Sequence, residues 1–204
     1  MSKQRPIAAL VMAAGQSQRM GAVKQLLPWK QSTLLGHTLK TLQENKTLRP
    51  YVVTGAHREQ ICDHLERLGI EVGTVHNPHW KKGLSSSIAA GIRYLYHRER
   101  HAFGGALVCL ADQPLLTLAH YNGLLKEFQL GQLEVIATNY GGRAGVPAVF
   151  RPDQFQKLMH LEGDMGARAL LNQKNNKMLE LPAGASLMDI DTPEQYEALY
   201  QLHH

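Results

Sequence analysis

Residues 7–13 read Ile-Ala-Ala-Leu-Val-Met-Ala, seven apolar positions with no polar alternation. A run this dense predicts a strand covered on both faces, as in the interior of a parallel sheet. Runs at 51–54, near 70–76 and at 106–111 predict three more strands. Between them the spacing becomes that of amphipathic helices. These fall at 33–44 with Ser32 as N-cap, at 59–68, and at 86–96 with Ser85 before it, where Ile88, Ile92 and Leu95 share one face. A further helix is predicted over 118–130. Strand and helix therefore alternate, which predicts βαβ units around a mainly parallel sheet.

Beyond Glu134 the rhythm changes. Residues 135–138 and 146–150 predict two short strands joined by the Gly-rich turn Tyr140-Gly141-Gly142-Arg143-Ala144-Gly145. Helices follow at 153–160 and 167–171, and a short strand near 185–190 delivers Asp191. Thr192-Pro193-Glu194 then starts a last helix, with Thr192 as N-cap and Pro193 at the first position. No internal repeat, low-complexity tract or long linker divides the 204 residues, so one domain over 1–204 is expected.

Composition narrows the classes. Cys62 and Cys109 are far apart and form no CxxC pair, so both are expected to be buried, reduced thiols of a cytoplasmic protein. The apolar run behind the first basic residues is too short for a signal peptide, and nothing approaches the roughly 18 apolar residues of a membrane span. The net charge of +5 comes from scattered cations without an aromatic-interleaved basic stripe, which favours an anionic small molecule over nucleic acid. The chain holds 11 histidines, but His57, His64, His76 and His79 follow no metal-ligand spacing and are expected to be solvated or capping residues. The terminal pair His203-His204 is native or the stub of a tag.

The candidate chemistry begins where the first strand ends. Residues 13–24 read AAGQSQRMGAVK, with two glycines, a serine and two cations, and they contain neither GxxxxGK[ST] nor GxGxxG. A Gly-rich turn can aim backbone N–H groups at phosphate oxygens, and Arg19 and Lys24 can neutralise their charge. Such turns also occur on ordinary α/β surfaces, so the loop gains meaning from its company. A triphosphate arrives with Mg²⁺, which takes oxygen ligands, and Asp112 and Asp191 both stand at predicted strand ends. Either alone would serve as a cap or turn residue. Together they can meet one metal.

With these residues in view, the chain resembles the MobA-like NTP transferase family, and within it the molybdenum cofactor cytidylyltransferase branch. The resemblance spans nearly the whole length. It rests on AAGxSxRMGxxK at 13–24 followed by Leu27-Pro28, NPHWKKGLSSS at 77–87, ADQPL at 111–115, GVPAVF at 145–150, GDMGAR at 163–168 and DIDTP at 189–193. It implies an α/β, Rossmann-like nucleotidyltransferase fold of the nucleotide-diphospho-sugar transferase type, a mainly parallel mixed sheet flanked by helices. A nucleotide-binding half over about 1–130 and an acceptor half over about 131–204 are implied as well.

Carried over by motif, Lys24, Arg19 and Asp112 are the catalytic candidates, and Asp112 and Asp191 the ligands of Mg²⁺. Nucleotide contacts are implied for Ala13, Ala14, Gly15, Ser17, Arg19, Met20, Gly21, Lys24, Ser85, Ser86 and Asp112. Ser85 or Ser86 would be the polar contact to base or ribose, a role compatible with capping the helix at 86–96. Ala at position 14 favours CTP over GTP. Arg143, Gly145, Val146, Pro147 and Asp164 are the implied acceptor contacts. Family members that act on molybdopterin often carry His or Asn where this chain has Val146, which removes a polar partner for a pterin.

The implied reaction is transfer of CMP from CTP to molybdopterin or a related phosphate monoester, with a molybdoenzyme or insertion chaperone as a downstream partner. A sugar phosphate or alcohol phosphate acceptor is the nearest alternative. A non-catalytic cofactor carrier is another class, against which the joint presence of Lys24, Arg19, Asp112 and Asp191 counts. A basic nucleic-acid module is the least favoured.

Overall fold

The first apolar run is a strand buried at every position, β1 (Ile7–Ala13). Its alternating side chains feed two cores: Ala8, Leu10 and Met12 join one face of the sheet, and Ile7, Ala9, Val11 and Ala13 the other. The computed structural model describes residues 5–99, 102–131, 133–163, 167–171, 177–179 and 190–203. In chain order the elements are β1, the two-residue strands β2 (Pro28–Trp29) and β3 (Ser32–Thr33), α1 (Leu34–Gln43), β4 (Leu48–Thr54), α2 (Arg58–Arg67), β5 (Gly73–His76), α3 (Leu84–Arg98), β6 (Gly105–Leu110), α4 (Leu118–Leu130), β7 (Val135–Asn139), β8 (Ala144–Phe150), α5 (Phe155–Met159), α6 (Arg168–Leu171), β9 (Lys177–Leu179) and α7 (Pro193–His203). Short 3₁₀ turns sit at Gln18–Met20, Lys24–Leu26, Trp80–Lys82 and Pro152–Gln154.

Among the described residues one sheet of seven strands runs in the order β5-β4-β1-β6-β8-β7-β9, and β2 and β3 form a separate hairpin. The pairs β1–β4, β1–β6, β4–β5 and β7–β9 are parallel, while β8 is antiparallel to both β6 and β7. The mainly parallel mixed sheet flanked by helices is therefore present. From β1 the chain builds outward through β4 to β5, then returns to place β6 on the other side of β1. That reversal leaves a crevice at the carboxyl ends of β1 and β6, where open α/β sheets bind ligands.

Several local expectations are corrected. The N-cap of α1 is Thr33, whose hydroxyl accepts the Gly36 N–H at 3.1 Å, not Ser32, because the helix starts one residue later than expected, at Leu34. β4 starts three residues earlier than the apolar run suggests, because Leu48, Arg49 and Pro50 pair with Ile7, Ala8 and Ala9. α3 starts at Leu84, so Ser85 and Ser86 lie inside its first turn. Its start is set by Gly83, whose φ of 83° belongs to the region that only glycine adopts without strain. The helix expected at 153–160 is a 3₁₀ turn followed by the short α5. Apart from Ile190, the strand expected at 185–190 lies outside the described residues. Cys109 is buried, but Cys62 on α2 is only half-buried.

A third apolar cluster positions the chain's end. Met20, Trp29, Leu34, Ile190 and Leu199 pack together, with Tyr196 and Tyr200 against them. Burying each large side chain contributes roughly 1.5–3 kcal/mol, enough to hold α7 across the β2–β3 hairpin. The Tyr196 hydroxyl adds a 2.8 Å bond to the Pro28 carbonyl. No helix among the described residues is long and apolar enough to cross a membrane.

Candidate functional site

The crevice at the sheet's reversal point is a cleft of about 800 Å³. One wall is the loop after β1. The Ala14 carbonyl accepts the Ala56 N–H at 3.1 Å, which fastens the loop to the end of β4. The chain then turns sharply through left-handed residues, Ser17 at φ 55° and Gly21 at φ 62°. Ser17 closes the turn twice: its carbonyl accepts the Met20 N–H at 3.0 Å and its hydroxyl accepts the Lys24 N–H at 3.3 Å. Buried Met20 anchors the turn in the third cluster, while Gly15 and Arg19 remain exposed. Nothing lies within 4 Å of where a Cβ on Gly15 would stand, so the loop faces open space.

The floor is charged. Lys24 Nζ lies 2.5 Å from Asp112 Oδ2 and 3.1 Å from Asp191 Oδ1, and the exposed Arg19 guanidinium stands 4.0 Å from Asp191 Oδ2. Burial alone would lower the Lys24 pKa, but the charge of Asp112 and the hydrogen bonds to Asp112 and Asp191 hold the ammonium above the usual lysine range. Lys24 is thus a fixed cation at any pH of biological interest.

Different parts of the chain deliver the two carboxylates. Asp112 stands two residues past the end of β6, and its carbonyl accepts the Ile190 N–H at 3.3 Å. Asp191 is set by a reciprocal cap at the start of α7: Thr192 Oγ1 accepts the Gln195 N–H at 3.3 Å, and Gln195 Oε1 accepts the N–H groups of Asp191 and Thr192 at 2.8 and 3.1 Å. Sequence distance thereby becomes contact across Lys24.

These residues fit a hard divalent cation. Asp112 Oδ1 is buried with no hydrogen-bond partner among the described residues. A buried carboxylate oxygen left bare is costly unless a ligand or ion completes it. Two carboxylates leave most of about six oxygen positions for phosphates and water, the pattern Mg²⁺ prefers. No group of three or more His, Cys, Asp or Glu side chains suited to holding a metal occurs among the described residues. His57 and His64 instead hydrogen-bond to the Gln16 carbonyl and the Thr33 hydroxyl.

The opposite wall comes from the NPHWKKGLSSS segment. Buried Asn77 organises it: its amide donates to Ser86 Oγ at 2.9 Å and Ser87 Oγ at 3.0 Å, and its Oδ1 accepts the His79 N–H at 2.9 Å. Ser86 also donates to the Gly83 carbonyl at 2.8 Å, which ties down the first turn, but the expected serine cap is not formed, since the N-cap is Gly83 with no side-chain cap bond. Of the three serines, Ser87 lines the cleft, while Ser85 is fully buried and Ser86 faces a neighbouring cavity of about 470 Å³.

Of the sequence-derived nucleotide residues, Ala14, Gly15, Ser17, Arg19, Met20, Lys24 and Asp112 line the cleft, together with Asp191. Ala13 is packed in the core, and Gly21 supplies a turn. The motifs did not single out Gln25, Trp80, Lys81, Leu84 and Ser87, which line it as well. All but Gln25 belong to the NPHWKKGLSSS motif, but only the fold shows which side chains turn inward.

The acceptor candidates stand apart. Arg143 is exposed on the β7–β8 hairpin, with Gly145, Val146 and Pro147 along the start of β8, and none of them lines this cleft. Asp164 lies outside the described residues. The hairpin is nonetheless tied to the carboxylate loop. Gln113, beside Asp112, donates to the Tyr140 hydroxyl at 2.8 Å, and that hydroxyl donates to the Val146 carbonyl. A second tether runs from His120 Nε2 to Thr138 Oγ1, 2.8 Å apart, and from Thr138 to the Pro147 carbonyl at 2.8 Å.

A family model described as the MobA-like NTP transferase domain matches residues 9–178. The purine catabolism protein PucB of Bacillus subtilis (strain 168) is 30% identical over 201 residues, covering 91% of this chain and 92% of that protein. The molybdenum cofactor cytidylyltransferase of Escherichia coli (strain K12) is 25% identical over 190 residues, covering 93% of each. The crystal structure of Rv0371c from Mycobacterium tuberculosis H37Rv superposes with a TM-score of 0.79 at 25% identity, over 96% of this chain and 98% of that one. That protein has also been solved in complex with manganese.

Proposed function

The chain belongs to the MobA-like NTP transferase domain family and is a nucleotidyltransferase, and on that premise we propose that it transfers CMP from CTP to a phosphate monoester, molybdopterin or its metal-loaded form, releasing pyrophosphate. The observation that carries the site assignment is the buried Lys24 ammonium between Asp112 and Asp191, at the floor of the cleft beneath the loop at 14–24.

An oxygen of the acceptor phosphate attacks the α-phosphorus of CTP. As that bond forms, the bond from the α-phosphorus to the bridging oxygen breaks, and pyrophosphate leaves with the electron pair. The attacking phosphate is ionised at neutral pH, so no strong general base is needed. Catalysis then consists of positioning and charge stabilisation. The loop's N–H groups and Arg19 hold the β- and γ-phosphates, and Lys24 faces the charge that grows on the leaving group. Asp112 and Asp191 would hold Mg²⁺, which supplies charge neutralisation on the α- and β-phosphate oxygens when bound.

Ala14 in the cleft wall supports CTP, following the family pattern. The acceptor half is assigned to the β7–β8 hairpin through its tether to Gln113. Val146 gives one specific reason for a second acceptor, since an apolar side chain there suits a sugar phosphate as well as a pterin. The test is pyrophosphate release with each of the four NTPs and Mg²⁺, with molybdopterin, with a sugar phosphate, or with no acceptor. Release that requires CTP and molybdopterin is expected. Release only with a sugar phosphate moves the assignment to the second acceptor, and no release under any condition defeats the catalytic reading.

A further inference from the structure

We propose that Trp80 is the residue against which the nucleobase stacks, and that its spacing from Ala14, set by Gly55, determines which base is accepted. This rests on the nucleotide reading of the cleft given above. The triphosphate end of that cleft is fixed by Lys24, Asp112 and the loop around Ser17. The nucleoside must then lie toward the part of the cleft lined by Ala14 on the loop wall and by Trp80, Leu84 and Ser87 on the opposite wall. Trp80 is the only aromatic side chain lining the cleft among the described residues.

Its position is tightly defined. Trp80 opens the 3₁₀ turn Trp80–Lys82, and its carbonyl accepts the Gly83 N–H at 3.0 Å. Beneath it lies Gly55, just past the end of β4. A Cβ on Gly55 would stand 2.6 Å from the Trp80 Cβ, 2.6 Å from the Ala14 carbonyl oxygen and 2.9 Å from the Ala14 Cβ. Only a residue without a side chain lets Ala14 and Trp80 approach this closely. Gly55 therefore sets the separation between the two walls. Lys81 Nζ stands 5.5 Å from the centre of the indole, an arrangement that stabilises an electron-rich ring. The indole is partly exposed, so it offers apolar surface that a flat heterocycle can cover.

The two tryptophans make this directly measurable, because Trp29 is fully buried in the third cluster and Trp80 is not. Intrinsic fluorescence of the wild-type protein is titrated with CTP and Mg²⁺, alongside equilibrium dialysis with labelled CTP, and Trp80→Phe and Trp80→Ala are assayed kinetically. CTP is expected to quench the emission with the midpoint found by dialysis, and Trp80→Phe to abolish the response while still binding CTP. Truncating a stacking aromatic weakens base binding, so Trp80→Ala should raise KM for CTP roughly tenfold, with kcat changed by less than ~3-fold. Its preference for CTP over GTP should narrow. CTP that binds in dialysis without changing the emission, together with an unaltered KM in Trp80→Ala, overturns the proposal. Should Trp80→Ala fail to fold, the wild-type titration and Trp80→Phe decide the matter. Absence of CTP binding to the wild type overturns the reading of the cleft itself, and this inference with it.

Discussion

Replacing Lys24 with Met keeps most of the side-chain stem and removes the ammonium that lies 2.5 Å from Asp112 and 3.1 Å from Asp191. In the metal-free protein this leaves two carboxylates facing each other, with the exposed Arg19, 4.0 Å from Asp191, as the remaining compensation among the described residues. The side chains of Lys24 and Asp112 are 11% and 17% exposed, so this is a largely buried pair, whereas Asp191 is 50% exposed. Breaking a buried pair by removing one partner costs about 3–5 kcal/mol. Water in the cleft places this case near the lower end. For a domain of this size each kcal/mol shifts Tm by roughly 2–4 °C, so Lys24→Met should melt about 6–12 °C below the wild type in EDTA at neutral pH. Divalent cations should then act in the opposite sense. The wild-type carboxylates already hold a cation, and a like charge within a few ångströms opposes a second by more than the ~1.4 kcal/mol that tenfold represents. Nucleotide-free Lys24→Met should therefore bind Mn²⁺ about tenfold more tightly than the wild type and regain part of its lost Tm on saturation. Turnover should nonetheless fall by roughly 100-fold or more, because the charge facing the leaving pyrophosphate is gone. Calorimetry, Mn²⁺ titration and a pyrophosphate assay read the three quantities. An unchanged Tm with unchanged Mn²⁺ affinity, or near-normal turnover, would refute the reasoning.

Three further predictions follow from the same geometry. Asp112→Asn should lower turnover by ~100-fold or more and abolish the thermal stabilisation by Mn²⁺, whereas half-exposed Asp191 should tolerate Asn with a smaller loss of metal affinity; equal effects in a titration would contradict the bare Asp112 oxygen as the principal ligand. Tyr140→Phe cuts the tether between Gln113 and the Val146 carbonyl, so KM for the acceptor should rise severalfold while KM for CTP holds, and a change confined to CTP would count against an acceptor role for the hairpin. Burial holds the His120 imidazole down to about 4, below the ~6.5 of an unfolded chain. The stability gained from its neutral form is complete above pH 6.5 and is lost as pH falls toward 4, by about 3 kcal/mol at most. Urea unfolding of the wild type and His120→Gln should therefore converge as pH falls through that window; a constant difference would show that His120 does not titrate on unfolding.

How much of this was legible in the sequence depended on how local the physics was. β1 and α4 coincide with their predicted bounds because uninterrupted apolar runs and helical spacing are local signals. The β2–β3 hairpin was missed because strands of two residues carry no periodicity. The start of α3 was displaced because the backbone of Gly83, not a serine side chain, sets it. Asp112 and Asp191 were recognisable as strand-end carboxylates, yet nothing local says that Lys24 sits between them. That contact depends on the Thr192–Gln195 cap and on α7 packing against Trp29. Trp80 shows the same limit. Its neighbours in the motif were read as nucleotide contacts, but its place in the cleft follows from the missing side chain of Gly55, 25 positions earlier.

Nucleotidyl transfer moves the α-phosphorus of CTP, and ³¹P NMR of a reaction containing the wild-type protein, CTP, Mg²⁺ and molybdopterin follows that atom. The α-phosphorus should appear in a new diphosphate linkage between acceptor and cytidine, with free pyrophosphate in equal amount, and Asp112→Asn should form neither. Release of inorganic phosphate, or CTP left intact with every phosphate monoester offered, would contradict nucleotidyl transfer at the Lys24, Asp112 and Asp191 site.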